Sequence, residues 1–397
     1  MRFLCVSAVF PPAFDYGGVP FRVFGLAEAL ISRGHPCQVT ATNAGGTSNL
    51  PVKADKPGNY MGVPVIYTER WRHNSYFYAP FMIKHLRQLA PLYDIALVSG
   101  GWGYINLAAR LALPRMGLPY VLSPEGLFDP WAFRQKYLKK GLYWPLVEKR
   151  NYAGAAGIVA LTDSEAAQVK EYINGVPVRV IPNGVNLKHF QPLASQGKPE
   201  RSFPALANSP YILFLSRLHP KKGLDLLFPA FQQLLALCRQ QDSPEPYLVV
   251  AGDGEQKYKH DLENLVQRLE IADRVLFTGL VTGDVKLTLL HHCSFMILPS
   301  RGEGLPMAVL ETMACGKPVV ITPGCYLPEV ARTGAGLEVE LEIEPLAQAM
   351  LRLWNTPGLR GEMREKALNL IKEKFTWGKI AEQTVQFCEH LLASRRP

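Results

Sequence analysis

Glu303 and Glu311 stand either side of seven residues in Arg301-Gly-Glu-Gly-Leu-Pro-Met-Ala-Val-Leu-Glu311. Gly304 and Pro306 separate the first carboxylate from what reads as a helix, since proline is favoured at the first helical position. At about 3.6 residues per turn, Glu311 then lies roughly one and a half turns into that helix. Both carboxylates can face one ligand, with the positive helix N-terminus between them. An anionic ligand that also carries hydroxyl groups, such as a nucleotide-sugar, suits this arrangement. The plainer reading is a solvated loop glutamate beside an ordinary helix. Upstream, Tyr211-Ile-Leu-Phe-Leu-Ser216 reads as a buried strand, and Arg217-Leu-His-Pro-Lys-Lys222-Gly follows it as a basic turn opening another helix. Arginine offers a planar fork and lysine a point charge, so Arg217 and Lys222 make a natural diphosphate clamp. Two strand-end elements that both suit one phosphorylated ligand favour this over a merely solvated basic loop.

The elements that must hold these groups alternate twice along the chain. Strands are predicted at 2–9, 37–42, 94–98, 119–123, 157–161 and 178–181, then at 211–216, 246–251, 274–277, 294–298 and 318–321, with helices between them. Continuous apolar strands separated by helices imply parallel sheets covered on both faces. Gly17-Gly18 opens a helix carrying Val23, Leu26, Ala27, Leu30 and Ile31 at helical spacing and ending at Gly34. Thr162-x-x-Glu165 is a capping-box pattern, and Asn183-Gly184 reads as a turn closing the first half. Gln191 to Pro210 is rich in Pro, Ser and Ala without periodicity, so it reads as a linker. The expected domains are 1–190, linker 191–210, 211–375, and a terminal helix in 376–397. Two such domains place their strand ends around a cleft, where open α/β sheets bind ligands.

With 397 residues, two domains are the prior, and 48% hydrophobic residues exclude a disordered chain. Seven cysteines show no paired or metal-ligand spacing, which implies reduced, buried thiols in a reducing compartment. The N-terminus reads as a buried strand rather than a signal peptide, and no segment approaches the ~20 apolar residues a bilayer requires. Residues 1–190 hold 20 Lys+Arg and 11 Asp+Glu, and residues 191–397 hold 23 of each, so the whole net charge of +9 lies in the first half. Much of it falls in Trp131 to Arg150, where six cations are interleaved with aromatic residues. That segment is either a docking face for anionic lipid or a solvated helix whose aromatics pack inward. No nucleic-acid motif accompanies the charge.

The chain resembles the retaining glycosyltransferases of family 4, which have the GT-B fold. The resemblance rests on Phe214 to Gly223 (FLSRLHPKKG), Val249 to Gly254 (VVAGDG), Phe277 to Val281 (FTGLV) and Pro299 to Val320 (PSRGEGLPMAVLETMACGKPVV). Looser matches extend it through Gly17 to Pro20, Leu26 to Thr42 and Ile181 to Val185. It implies two Rossmann-like doubly wound parallel-sheet domains facing a cleft, with a C-terminal helix crossing back to the first. It also implies transfer of a hexose from a nucleotide-diphosphate sugar with retention, by front-face attack in which the donor phosphate helps deprotonate the acceptor. Arg217, Lys222 and Glu303 would be catalytic, with Glu303 on donor-sugar hydroxyls and Glu311 on the ribose. Gly17, Gly18, Gly252, Leu280, Val281, Gly304 and Leu305 would complete the donor site, with the glycine N–H groups of 17 and 18 near the diphosphate. The acceptor side would include Glu125 and Trp131.

Negative charge left on the diphosphate is where stabilisation acts most strongly. Many transferases hold a metal there on an Asp-x-Asp pair. This sequence has no Asp-x-Asp, so no metal or other cofactor is expected and Arg217 and Lys222 are left to neutralise the leaving group. Glycosidases also use paired carboxylates, but have no need of such a clamp. Two departures from the family pattern stand out. Ser123-Pro-Glu-Gly126 has an acid where relatives carry His or Arg, and Thr322 to Glu329 lacks the usual glycine-rich loop. The expected acceptor is a glycan or a lipid-linked molecule, with the enzyme cytoplasmic or peripheral on the inner membrane face. A soluble acceptor (a disaccharide or its phosphate) and a nucleotide-sugar epimerase are the alternatives.

Overall fold

A computed structural model describes all residues except 47, 73–74, 127, 129–140, 192–196, 208 and 395–397. The chain divides into two compact units, Met1–Gly184 with Thr376–Pro397, and Val185–Phe375. The first break follows the Asn183-Gly184 turn rather than residue 190. The expected linker keeps company with the second unit, because Pro199 and Leu206 are buried in short 3-10 turns there. Its residues 192–196 and 208 lie outside the described residues.

The first unit contains β1 (Phe3–Ser7), β2 (Cys37–Thr42), β3 (Ala44–Gly45), β4 (Ser48–Asn49), β5 (Pro57–Tyr60), β6 (Val63–Thr68), β7 (Ile95–Ser99), β8 (Tyr120–Ser123), β9 (Gly157–Ala160) and β10 (Val178–Val180). Eight of them form one sheet in the order β10-β9-β8-β7-β1-β2-β6-β5, with β3 and β4 forming a separate antiparallel pair. Phe3, Leu4, Cys5 and Val6 are buried on both faces of β1, the pattern of a parallel strand covered on two sides. The sequence reading missed β5 and β6. They form an antiparallel hairpin over Met61 and Gly62, both left-handed at φ 49° and 91°, and β5 is an exposed edge that starts with proline. Nothing in Pro57-Gly-Asn-Tyr60 carries a strand period.

Helix Trp377–Ala393 belongs to this first unit, packed on helix Gly18–Ser32. The contact depends on a residue without a side chain. A Cβ at Gly25 would stand 2.7 Å from Cζ2 of Trp377 and closer still to other indole atoms. Ile380, Ala381, Phe387, Cys388 and Leu391 then join the core with Val23, Leu26 and Leu30.

The second unit contains β11 (Tyr211–Leu215), β12 (Tyr247–Ala251), β13 (Val275–Gly279), β14 (Phe295–Leu298), β15 (Val319–Ile321) and β16 (Gly336–Glu338). Its sheet is wholly parallel, in the order β13-β12-β11-β14-β15-β16. β16 was not anticipated; its Gly-Leu-Glu has neither the apolar run of β15 nor a period. The unit's ends are joined by the Val185 N–H, which donates to Phe375 O at 2.7 Å. All seven cysteines are free and buried.

Candidate active site

In the second sheet the strand order reverses between β11 and β14, and the loops leaving these two strands carry Arg217 to Gly223 and Pro299 to Pro306. Ligands of open α/β sheets bind at such a switch point, beyond the carboxyl ends of the strands. The two loops are stitched together by main-chain bonds. Arg301 N–H donates to Lys221 O at 2.8 Å, and the Ser300 hydroxyl donates to the same carbonyl at 3.1 Å. The Arg301 guanidinium grips Asp225 with both Nη atoms at 2.8 Å. Gly223, at φ +71°, lies so close to the Pro299 carbonyl that any Cβ would collide with it. The spacing of the basic turn from the glutamate loop is therefore fixed by backbone contact.

Within this frame Lys222 Nζ lies 2.5 Å from Glu303 Oε1, with only 13% and 10% of the two side chains exposed. Ion pairs this dry contribute little net stability, because desolvation offsets attraction. Arg217 is exposed and makes no hydrogen bond or ion pair among the described residues. A guanidinium held at a strand end without a partner is a ready anion receptor. Gly252, at φ +149°, packs on the Ser216 carbonyl, where a Cβ would clash. It keeps the β12 loop against the start of the basic turn, together with Leu218 N–H donating to Asp253 O at 2.9 Å.

Helix Met307–Ala314 starts one residue later than expected, because Pro306 has extended ψ (106°) and serves as the N-cap. Glu311 occupies the helix's second turn and lies 2.6 Å from Lys286 on helix Gly283–His292. Leu305 is buried and Gly304 half-buried. After β13, Leu280 is 70% exposed and Val281 buried. His219 accepts a hydrogen bond from Lys221 N–H through Nδ1 at 3.1 Å. Its pKa is lowered, first by burial and then by Arg217, Lys222 and Lys221.

The first unit puts its polar groups inside. Arg22 Nη1 lies 2.6 Å from Glu125 Oε1 and 3.1 Å from Ser99 Oγ, and both members of the ion pair are under 10% exposed. Glu125 has φ +55°, a conformation few non-glycine residues adopt. Burial raises its pKa, which Arg22 partly counters. Glu165 accepts from Leu161 N–H at 2.7 Å and from Gly126 N–H at 2.5 Å, so it braces the Glu125 turn. Thr162 caps the helix as read, accepting from Glu165 N–H, but the Glu165 carboxylate does not return to Thr162. Glu148 is buried under Asn106 and Asn151, which donate at 2.7 and 3.0 Å. Gly17 N–H donates to Phe14 O at 3.2 Å, closing the preceding turn. Gly18 begins the helix and is exposed. Trp131 lies outside the described residues, as does the segment 131–140.

Sequence reasoning missed Arg22 and Lys286. Arg22 shares a helical face with Leu26 and Ala29, and a cation in phase with core residues was the available signal. Lys286 had no comparable signal, since its partner comes from another helix.

Residues 198–370 match the family model for glycosyl transferases group 1, and residues 17–184 match that for a glycosyl transferase 4-like domain. A D-inositol 3-phosphate glycosyltransferase from Actinosynnema mirum is 30% identical over 387 residues, 94% of this chain and 92% of that one. One of the subunits of the Homo sapiens phosphatidylinositol N-acetylglucosaminyltransferase is 26% identical over 391 residues, 96% of this chain and 74% of that one. The structure of Anabaena HepE in complex with UDP-glucose superposes with a TM-score of 0.75 at 19% identity, covering 98% of this chain and all of that one. Two parallel-sheet α/β units and these likenesses define a GT-B protein. The chain belongs to the group 1 glycosyltransferases of family 4.

Proposed function

We propose that this glycosyltransferase moves a hexose from a nucleotide-diphosphate sugar, with retention and without a metal, to a lipid-linked or glycan acceptor at an anionic membrane surface. The observation that carries the donor side is the guanidinium of Arg217, unpartnered among the described residues, beside the Lys222–Glu303 pair at the switch point of the second sheet. As the sugar–diphosphate bond breaks, charge collects on the departing diphosphate, and Arg217 with Lys222 neutralises it. Glu303, held on one oxygen by Lys222, has its other oxygen for sugar hydroxyls. The donor phosphate takes the acceptor proton, so no protein base is assigned. The UDP-glucose bound by HepE is in keeping with a donor of this class.

The membrane side rests on the first unit. It carries the net charge, and among the described residues only Leu280 and Ile343 of the exposed large hydrophobic side chains belong to the second. Phe14 and Phe21 stack at 5.0 Å while about half exposed, and Leu142 and Leu146 lie exposed beside Lys149 and Arg150. Apolar side chains among cations suit an anionic lipid surface. No helix among the described residues is long and apolar enough to cross a membrane. The soluble-acceptor reading has its own support, since the Actinosynnema mirum relative is named for D-inositol 3-phosphate.

The test is nucleotide release from UDP-, GDP-, ADP- and dTDP-sugars in EDTA, with Glu303→Ala as control. Slow release from one donor, lost in the variant, is expected. Silence across the panel, with no ligand-induced thermal stabilisation, overturns the reading.

A further inference from the structure

His219 serves the basic turn at the switch point of the second sheet twice over, and the glutamate loop hangs on that turn. The turn is the three-residue 3-10 segment Pro220–Lys222, to which proline brings no N–H. Its two amides both go to His219. Lys222 N–H donates to the His219 carbonyl at 2.8 Å, and Lys221 N–H donates to His219 Nδ1 at 3.1 Å. The Lys221 carbonyl in turn accepts from Arg301 N–H at 2.8 Å and from the Ser300 hydroxyl at 3.1 Å. A single residue, Lys221, thus links the His219 ring to the loop that carries Glu303. The next residue is Lys222, whose Nζ lies 2.5 Å from Glu303 Oε1.

Nδ1 can accept only while it carries no proton, so this cap needs a neutral ring with its proton on Nε2. An imidazolium would present one N–H to another. The cap would be lost, and a positive charge would be added to a turn that already holds Arg217, Lys221 and Lys222. Burial first, and then those three cations, lower the pKa of the ring and keep it neutral. Charges on the facing elements are already engaged, Glu303 by Lys222 and Arg301 by Asp225 of helix Leu224–Gln240. After β12, the Asp253 carboxylate accepts from Gly254 N–H at 2.9 Å. We propose that His219 is a positioning residue whose neutral ring caps the basic turn and so holds Lys222 and Glu303 in place for the donor, and that acid releases this clamp. This rests on the reading of the second unit as a nucleotide-sugar site, and goes beyond it by naming the residue that sets when the site can bind.

The experiment is calorimetric titration of the full chain with UDP-, GDP-, ADP- and dTDP-glucose at about pH 8 and about pH 5, where the diphosphate of each stays fully ionised. Wild type is expected to bind its cognate donor several-fold more weakly in acid. An ordinary histidine pKa of about 6.5 caps that loss at about thirtyfold. His219→Asn keeps an acceptor for Lys221 N–H but takes up no proton. It is expected to rescue binding at about pH 8 to within about threefold of wild type and to abolish the acid loss. His219→Ala, with no acceptor, is expected to bind about five- to tenfold more weakly at both pH values, the worth of a lost cap. An acid loss that persists in His219→Asn, or His219→Asn binding no better than His219→Ala, overturns the role of His219 while leaving the donor site standing. So does wild-type binding that is level or tighter in acid, as for an imidazolium that meets the diphosphate itself. No binding of any donor by wild type at either pH overturns the site.

Discussion

In the second unit, charged residues gather at strand ends where solvent and ligand can reach them, whereas in the first they are sunk into the scaffold. Arg217 is exposed, and Lys222, Glu303, Lys286 and Glu311 are each between 10% and 27% exposed. Arg22, Glu148 and Glu165 are buried and the Glu125 side chain is only 7% exposed, and burial raises the pKa of every one of those three carboxylates. One unit therefore keeps its charges available for a ligand, and the other uses them to hold loops in shape. The difference tells where substitutions should injure chemistry and where they should injure folding.

The comparison is broken most directly by taking one member from a pair in each unit. Arg22→Met strands Glu125 in the interior and is expected to lower unfolding stability by about 3–5 kcal/mol, measured by urea titration. Adding Glu125→Leu should recover most of that loss, since the uncompensated charge goes with it. A single variant as stable as wild type would mean that the first unit's interior pair is not a scaffold. Arg217→Ala is expected to leave stability within about 0.5 kcal/mol of wild type, as for an exposed side chain. Its nucleotide release should nevertheless slow by roughly 10²–10³-fold. Equal turnover in this variant would remove the diphosphate clamp from the second unit.

The smallest effect concerns acid. His219 has a folded pKa below its ordinary 6.5, so the unfolded chain takes up a proton that the folded one refuses. Its contribution to stability is present above that value and is lost as the pH falls below it. Between about pH 7.5 and pH 5.5 the thermal midpoint of wild type should drop further than that of His219→Asn, whose side chain can still accept from Lys221 N–H. Parallel curves would show that the basic turn around His219 imposes no such penalty.

Much of the second unit's site was legible in sequence because its parts are local. Arg217 comes just after the five buried residues of β11, and Glu303 lies in the loop that leaves the four buried residues of β14, so the apolar runs alone put both beyond strand ends. Helical spacing then places Glu311 in the second turn of the helix that follows. The edge strand of the hairpin over Met61-Gly62 was not legible, since it is exposed and polar, whereas Val63, Val65, Ile66 and Tyr67 of its partner are buried and did leave an apolar run to read.

Sequence by itself determined the alternation of strands and helices, the basic turn, the glutamate spacing and the confinement of the net charge to the first half. Each of these is set by neighbours along the chain, through period, propensity or composition. Only the tertiary structure decided that Lys222 meets Glu303, that Lys286 meets Glu311, and that Arg22 neutralises Glu125. It also decided that Gly25 admits Trp377 to seat the terminal helix in the first unit. Those pairings join residues from separate elements, brought together by the strand order of each sheet and by backbone contacts that leave no room for a side chain.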